Sequence, residues 1–479
     1  MTMLLAIICA AVAIAAVAAA VILVARHHRK TTDDSGHENH SGDVAYEPAA
    51  GVVTLSRTEN GNDGILTLYD GLTEQSIDHI FYTSAFSTLI GFVDDNTSIL
   101  VAHENGKQID TLKIVGGKMS ISDDTNDTFQ LSAAGAAADS FILYGLVSPS
   151  GRYVFIQCVS NEKLGYTDMC YWDRQQQRKG LLNLIRWDYT DYRPVFDKND
   201  QLLVLSSPWP VSVNHDNRLH VFAPGDFSTY VTLTDDNDNR NQMILASCWM
   251  CDGAFLTAGT YLDGQFVIQT WNHSESGQSS SVKVLTSLFP DSASRVANLS
   301  FDSQFENYMV AFDTGTVNLY HSNNNLAAVC LLPDDTSDDH PGNHRPDNVF
   351  GMFSPDDKIL LVLASISQPQ NHGNSTIDVC KIVLYNVSGA FDDASQAVMS
   401  PEGTVVPQGS STNDVWKIDN VWFVNSNRFC AVHDDGLGAS IIETEIGTDG
   451  TINYTVKPIS EGAVDELMTT VARERLFSS

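Results

Sequence analysis

One short pattern recurs seven times along this chain: an apolar residue, a polar turn, then a run of apolar residues. The clearest copy is "FSPDDKILLVL", starting at Phe353. Pro presets φ near about −65° and Asp hydrogen-bonds its own backbone, so Ser-Pro-Asp-Asp is a tight reversal between two strands. The "ILLVLAS" that follows is short and continuously apolar, as a strand buried on both faces must be. Further copies are "FVDDNTSILVA" from Phe92, "VSPSGRYVFIQ" from Val147, "FDKNDQLLVLS" from Phe196, "WMCDGAFLTAG" from Trp249, "FDSQFENYMVAF" from Phe301 and "FVNSNRFCAVH" from Phe423. From Val93 to Phe423 they span 423 − 93 = 330 residues in six steps, or about 55 residues each.

A second signal keeps the same beat. Alternating strands end in an aromatic followed by a small polar residue, at Tyr69-Asp70, Trp172-Asp173, Trp271-Asn272, Tyr320-His321 and Tyr385-Asn386, with Phe222 a degenerate case. From Trp172 through Phe222 and Trp271 to Tyr320 the steps are 50, 49 and 49. Turns at Gly64, Gly264 and Gly315 precede three of these strands, where glycine supplies the positive φ of a tight hairpin. Two interleaved signals with one period of 40–55 residues, and several short strands per unit, predict a β-propeller. Seven complete units run from Phe92 to about Ser460. Before them lie "VVTLSR" and "ILTLYDG", which lack an inner partner; after them lies "ELMTTVARERLF", a strand lacking outer ones. Joining these ends closes the ring as a composite blade and leaves no open edge. That gives eight four-stranded blades, or seven if a terminal piece packs on another blade.

Ahead of the repeats, Met3 to Ala25 is 23 residues without a charge, long enough to cross about 30 Å of hydrocarbon as one helix. The competing reading, a cleaved signal peptide, calls for a basic start and a shorter apolar core. Residues 1–30 are therefore expected to be a transmembrane anchor with a basic flank, 31–50 a flexible acidic tether, and 51–479 the propeller. All basic charge near the helix, "RHHRK", follows it, which places the propeller on the cytoplasmic side of a single-pass helix. Eight N-x-S/T sequons, the first at Asn39, point the other way. Seven cysteines follow the anchor, an odd number, and most lie in apolar strand-like runs, as reduced core cysteines do.

Lys and Arg total 27 against 59 Asp and Glu, a net charge of −32. Such a surface repels nucleic acid and excludes it as a direct partner. No G-x-S-x-G elbow, Gly-rich phosphate loop, H-E-x-x-H or kinase set is present, so no enzyme activity, cofactor or metal is expected. Cys248 and Cys251 have ligand spacing but no second pair, and read as core cysteines. "DDNDNRN" from Asp235 resembles the start of a calcium loop but lacks its glycine and closing Glu, so it reads as an inter-strand loop. His37 and His40 of the tether read as solvated. The long acidic insertion "PDDTSDDHPGNHRPDN" from Pro333 is the candidate partner-contact loop, with Asp334, Asp335, Asp338, Asp339, His340, His344 and Arg345 as its charged and titratable residues.

The unit that follows this loop, "HRPDNVFGMFSPDD" from His344, then "ILLVLAS" and "IVLYN", resembles a repeat of the WD-repeat β-propeller family. His344, Val349 four residues before Phe353, the S-P-D turn and the Tyr385-Asn386 pair fall in the family's order. The resemblance covers about residues 51–479 and is closest in this unit. It implies an all-β propeller that acts as a noncatalytic scaffold, here membrane-anchored, for protein partners that its acidity would favour being basic. The alternative is an outward-facing propeller that binds a small ligand or glycan, or hydrolyses it, in its central channel.

Overall fold

The computed structural model describes residues 46–57, 64–82, 88–103, 106–160, 167–182, 193–197, 200, 203–206, 219–223, 226–233, 242–249, 254–261, 266–273, 279–285, 296–304, 306–312, 315–332, 348–369, 376–392, 397–405, 418–433, 438–460 and 464–470. The anchor and residues 31–45 of the tether lie outside these residues, as do the candidate loop residues 334–345, His37, His40, Cys251 and the 235–241 segment; the last five residues of the expected tether are described and belong to the propeller, with Pro48–Ala50 a 3-10 turn, Ala50 buried and Tyr46 bonded to Asn96. No described helix is long and apolar enough to cross a membrane. The chain from Tyr46 onward forms one compact unit.

The described strands form eight sheets, each built on a four-stranded antiparallel meander; neighbours follow chain order except where Glu466–Thr469 joins sheet I and where Ala397–Met399 adds to sheet VI in parallel. Sheet I is made from 51–82 and 466–469, and sheets II to VIII fall within 88–130, 140–181, 193–233, 242–285, 296–331 with 397–399, 348–405 without 397–399, and 418–460. The sequence already separates these units, because each seven-fold repeat supplies one strand–turn–strand and the period-2 strands between are too short for helices. The only described α-helix is a single turn, Leu131–Ala134.

The turn chemistry explains the boundaries. In Ser-Pro-Asp-Asp the N–H of Asp357 donates to the Ser354 carbonyl at 2.9 Å, and the N–H of Ile359 donates to Ser354 Oγ at 3.0 Å. The "SPSG" copy repeats this bond for bond: Gly151 N–H to the Ser148 carbonyl at 2.8 Å, Tyr153 N–H to Ser148 Oγ at 3.1 Å. Asp357 (φ 60°) and Gly151 (φ 75°) occupy the same left-handed position, which Gly takes freely and Asp tolerates. The turn serine thus caps the first N–H of the second strand, and the apolar pattern resumes at once.

Each aromatic of the second signal lies on a third strand and is buried: Trp172, Phe222, Trp271, Tyr320 and Tyr385 are at most 1% exposed and Tyr69 is 7%. Their neighbours belong to the next sheet as well as their own. Seven apolar clusters join I to II, II to III, III to IV, V to VI, VI to VII, VII to VIII and VIII to I. The first strands of IV and V are also in contact. The core is therefore a cyclic series of seams, and burial of these side chains is the main stabilising term.

The C-terminal strand Glu466–Thr469 pairs antiparallel with Gly51–Arg57, from Val52 opposite Thr469 to Leu55 opposite Glu466. This is the end-to-end pairing that the unmatched strands imply. Side chains fasten it on both sides. Glu466 accepts from Thr88 Oγ1 at 2.5 Å and from the Leu89 N–H at 2.6 Å in sheet II, and Thr469 Oγ1 donates to the Phe423 carbonyl at 2.5 Å in sheet VIII.

Candidate interaction surface

Because the four main strands of each sheet alternate in direction, first-to-second and third-to-fourth connections emerge at one end. The second-to-third connections and the links to the next sheet emerge at the other. The first kind is mostly short: 94–97, 148–152, 354–358 and 426–427. The second kind includes 182–192, 207–218, 286–295, 332–347 and 406–417. The chain enters at the short-turn end, where Tyr46 donates from its hydroxyl to the Asn96 carbonyl at 2.7 Å.

The short-turn end is stitched from sheet to sheet. Asp357 accepts from the Ser303 N–H at 2.7 Å and Ser303 Oγ at 2.5 Å, tying VII to VI. Asp200 of sheet IV likewise accepts from Ser148 Oγ at 2.9 Å, the Ser150 N–H at 3.3 Å and Ser150 Oγ of sheet III. The Arg174 guanidinium forks onto Asp94 of sheet II at 2.9 and 3.0 Å. Arg428 reaches from sheet VIII to the carbonyls of Gly71 (3.1 Å) and Leu72 in sheet I. The turn carboxylates that looked like simple turn formers therefore also act between sheets.

Electrostatics differ among these groups. Burial raises the Asp94 pKa, but its bonds to Arg174 outweigh that and hold it below the ordinary value. Asp357 stays above its ordinary value, because burial outweighs the Ser303 bonds and Asp302 and Asp356 stand nearby. The Trp172-Asp173 pair is the best-built element. Asp173 accepts from Arg152 Nε at 3.1 Å and Nη2 at 2.9 Å, and from the N–H groups of Gln175 and Gln176 at 3.1 and 3.0 Å. In sheet V, Trp271 Nε1 donates to Thr257 Oγ1 at 3.0 Å.

At the long-connection end, described side chains brace hairpins. His103 Nδ1 lies 3.0 Å from Asp110 Oδ2, and His433 Nε2 lies 3.0 Å from Ser440 Oγ. Both histidines close a second strand, and both meet the residue two places beyond their cross-strand partner. Their repetition marks them as structural. Among the described residues no group of three or more His, Cys, Asp or Glu is placed to hold a metal ion. Four cysteines, Cys158, Cys170, Cys330 and Cys430, are buried free thiols, as their apolar settings suggest. The residues that flank the acidic candidate loop, Leu332 and Asn348, join the outer strand of VI to the inner strand of VII at the long-connection end. Sequence reasoning missed Arg152 and the Ser303–Asp357 and Ser150–Asp200 stitches; the only available signal was the recurrence of Asp inside the turns.

No family model matches the sequence, and no curated protein matches it. Solved structures do. The C-terminal WD40 domain of Sif2 superposes with a TM-score of 0.50 at 11% identity, over 81% of this chain and 90% of that one. Apo AztD from Citrobacter koseri gives 0.48 at 10% identity, over 87% and 96%, and Kluyveromyces lactis Hsv2 gives 0.45 at 11%, over 80% and 100%. With its cyclic series of four- and five-stranded sheets, the chain has an all-β, WD40-like β-propeller fold.

Proposed function

We propose that this protein is a noncatalytic, membrane-anchored interaction platform: an eight-bladed propeller, one blade composite, behind a single helix at residues 3–25, with the propeller on the cytoplasmic side. The observation that carries the reading is the contrast between the two ends of the sheets. Apart from the 387–402 connection of sheet VII, one end is closed by short turns, several of them bonded sheet to sheet. The other carries connections of very uneven length, and unequal loops on a rigid repeat frame are how such scaffolds acquire distinct contacts. Net charge of −32 favours rapid encounter with basic proteins. Residues 334–348 are the proposed contact loop.

The test is to replace residues 334–348 by a Gly-Ser turn in the full chain. Membranes carrying wild type and variant are then crosslinked, and the captured proteins compared. The reading expects an unchanged melting temperature and loss of specific captured proteins; unchanged capture would remove this loop from the function. Protease treatment of intact cells checks the orientation, since digestion of the propeller from outside would reverse it.

A further inference from the structure

Among the described residues, sheet VI is the one whose outer strand is covered by a strand from its neighbour. Leu326–Leu331 completes the four strands of sheet VI, and Ala397–Met399 then adds to its outer side, with Val329 opposite Val398. Among the described strand pairs this one alone is parallel. The added strand is an excursion from sheet VII. Before it, Ala390 and Phe391 pack against the apolar seam of VI and VII; after it, the Glu402 N–H donates to the Leu384 carbonyl of sheet VII.

The sequence of the covered strand explains the cover. Leu326–Leu331 reads LAAVCL, six residues without a charge. The outer strands of sheets I to V and VIII carry at least one charge each, at Asp78, Lys118, Arg178, Asp226, Lys283 and Lys457. Charges on an outer strand discourage further pairing, whereas an apolar edge without them recruits another strand. Sheet VI has such an edge, and Ala397–Met399 is the strap laid over it.

The strap's hold is slight. The Leu332 N–H donates inward to the Gly315 carbonyl, so by alternation Val329 and Leu331 turn their backbone groups outward, and no bulge interrupts that register between Ala328 and Leu331. The strap meets this edge opposite Ala328 to Cys330, half the length of the strand. Val398 stays 72% exposed and the neighbouring Leu331 48%, so apolar burial adds little beyond Met399, which packs against the VI–VII seam. A strand running the full edge would cover more than the strap does.

We propose that the outer edge of Leu326–Leu331 docks an extended, uncharged segment of a partner protein, which displaces Ala397–Met399, the strap that holds the site closed. The strap itself defines what fits: a strand parallel to Leu326–Leu331 with an apolar residue opposite Val329. Its attachments to sheet VII on either side, at Phe391 and Glu402, keep it at hand as a competitor at an effective concentration on the order of millimolar. A second copy of this chain fits poorly, since two molecules of net charge −32 repel each other. This inference rests on the reading of the chain as an interaction platform, but it concerns a different element from loop 334–348.

The test uses the full chain and a labelled peptide copying residues 395–401, SQAVMSP, followed by fluorescence anisotropy. The variant Ala397→Gly/Val398→Gly/Met399→Gly weakens the strap, and Val329→Cys/Val398→Cys, once oxidised, locks it. The glycine variant should bind the peptide saturably, wild type at least about tenfold more weakly, and the locked variant not at all until reduced. A peptide N-methylated at the residues copied from Ala397 and Met399, which flank the position opposite Val329, should not bind. In wild type the amides of Val329 and Leu331 should exchange faster than those of Val317 and Leu319 in the same sheet, and the lock should slow them. Absence of binding to the folded glycine variant at about 1 mM peptide, or binding that ignores methylation, overturns the proposal. So does exchange of Val329 and Leu331 no faster than that of Val317 and Leu319, a comparison that needs neither variant. Dimerisation of the glycine variant would assign the edge to a second copy and overturn it too. Capture that survives replacement of loop 334–348, with peptide binding as expected, would refute the loop reading alone.

Discussion

Removing either partner of the Arg152–Asp173 pair should measurably destabilise the propeller, and the three informative variants should fall in a fixed order. Asp173 is 1% exposed and accepts four hydrogen bonds, two of them from Arg152. Arg152→Ala leaves a buried carboxylate with two backbone donors and no cation. Breaking a buried pair this way costs about 3–5 kcal/mol; the Arg152 side chain is 30% exposed, so the low end, about 3 kcal/mol, is expected. Asp173→Ala frees donors that reach water, since Gln175 and Gln176 are exposed, and should cost about 2–3 kcal/mol. Asp173→Asn keeps the shape and one acceptor and should cost about 1–2 kcal/mol. The double variant Arg152→Ala/Asp173→Asn should lose clearly less than the two singles summed, because the stranded charge is gone. Urea unfolding followed by tryptophan fluorescence reads all four. The pH dependence adds a sign. Burial raises the Asp173 pKa, but Arg152 and the turn N–H groups outweigh it and hold the folded value below the ordinary one. Its contribution is then fully present above the unfolded pKa of about 3.9 and is lost as pH falls toward the folded value. Wild type should lose stability there while Asp173→Asn loses less. Single variants all within about 0.5 kcal/mol of wild type, or additive losses in the double variant, would refute the reasoning.

Three further outcomes follow from local geometry. Gly71→Ala would place a methyl 2.5 Å from Val424 Cγ1 and 2.6 Å from the Ala50 carbonyl, and should cost about 1–3 kcal/mol in thermal melts. Gly116→Ala meets nothing within 4 Å but must hold φ +57°, so its loss should be only about 1 kcal/mol. Glu466→Ala removes both acceptors that fasten the C-terminal strand to sheet II and should cost about 2–3 kcal/mol; hydrogen exchange at Val53 and Leu55 should accelerate before exchange in sheets III or VI.

Much of this fold is legible in the sequence because its signals are local. A Ser-Pro-Asp-Asp turn fixes its own backbone within five residues, and a buried aromatic before a polar residue marks the end of a third strand wherever it falls. The pairing of "VVTLS" with "ELMT" was also readable, since each was a strand without a neighbour. Other features that depend on distant partners left no local trace. Ala397–Met399 is too short to show periodicity, and its partner Leu326–Leu331 in sheet VI lies far earlier in the chain. Likewise nothing near Asp357 identifies Ser303, 54 positions earlier, as its partner. The acidic loop stood out by length and charge, properties that advertise a surface without saying what it meets.

The bond between the two ends of the chain also sets an order of events during synthesis. Gly51–Arg57 leaves the ribosome early, yet its inner partner Glu466–Thr469 is made roughly 400 residues later. At about 5–20 residues per second, that delay is on the order of 20–80 s. Throughout it, an apolar strand from Val52 to Leu55 carries an unpaired edge while the remaining sheets assemble beside it, the situation in which strands recruit the wrong neighbour. A chain cut just before Glu466 should therefore build nearly all of its β-structure and still be lost, through association of nascent edges rather than failure to fold. Fusions that hinder the last fifteen or so residues should show the same defect, and supplying the "ELMTT" segment in trans should relieve it.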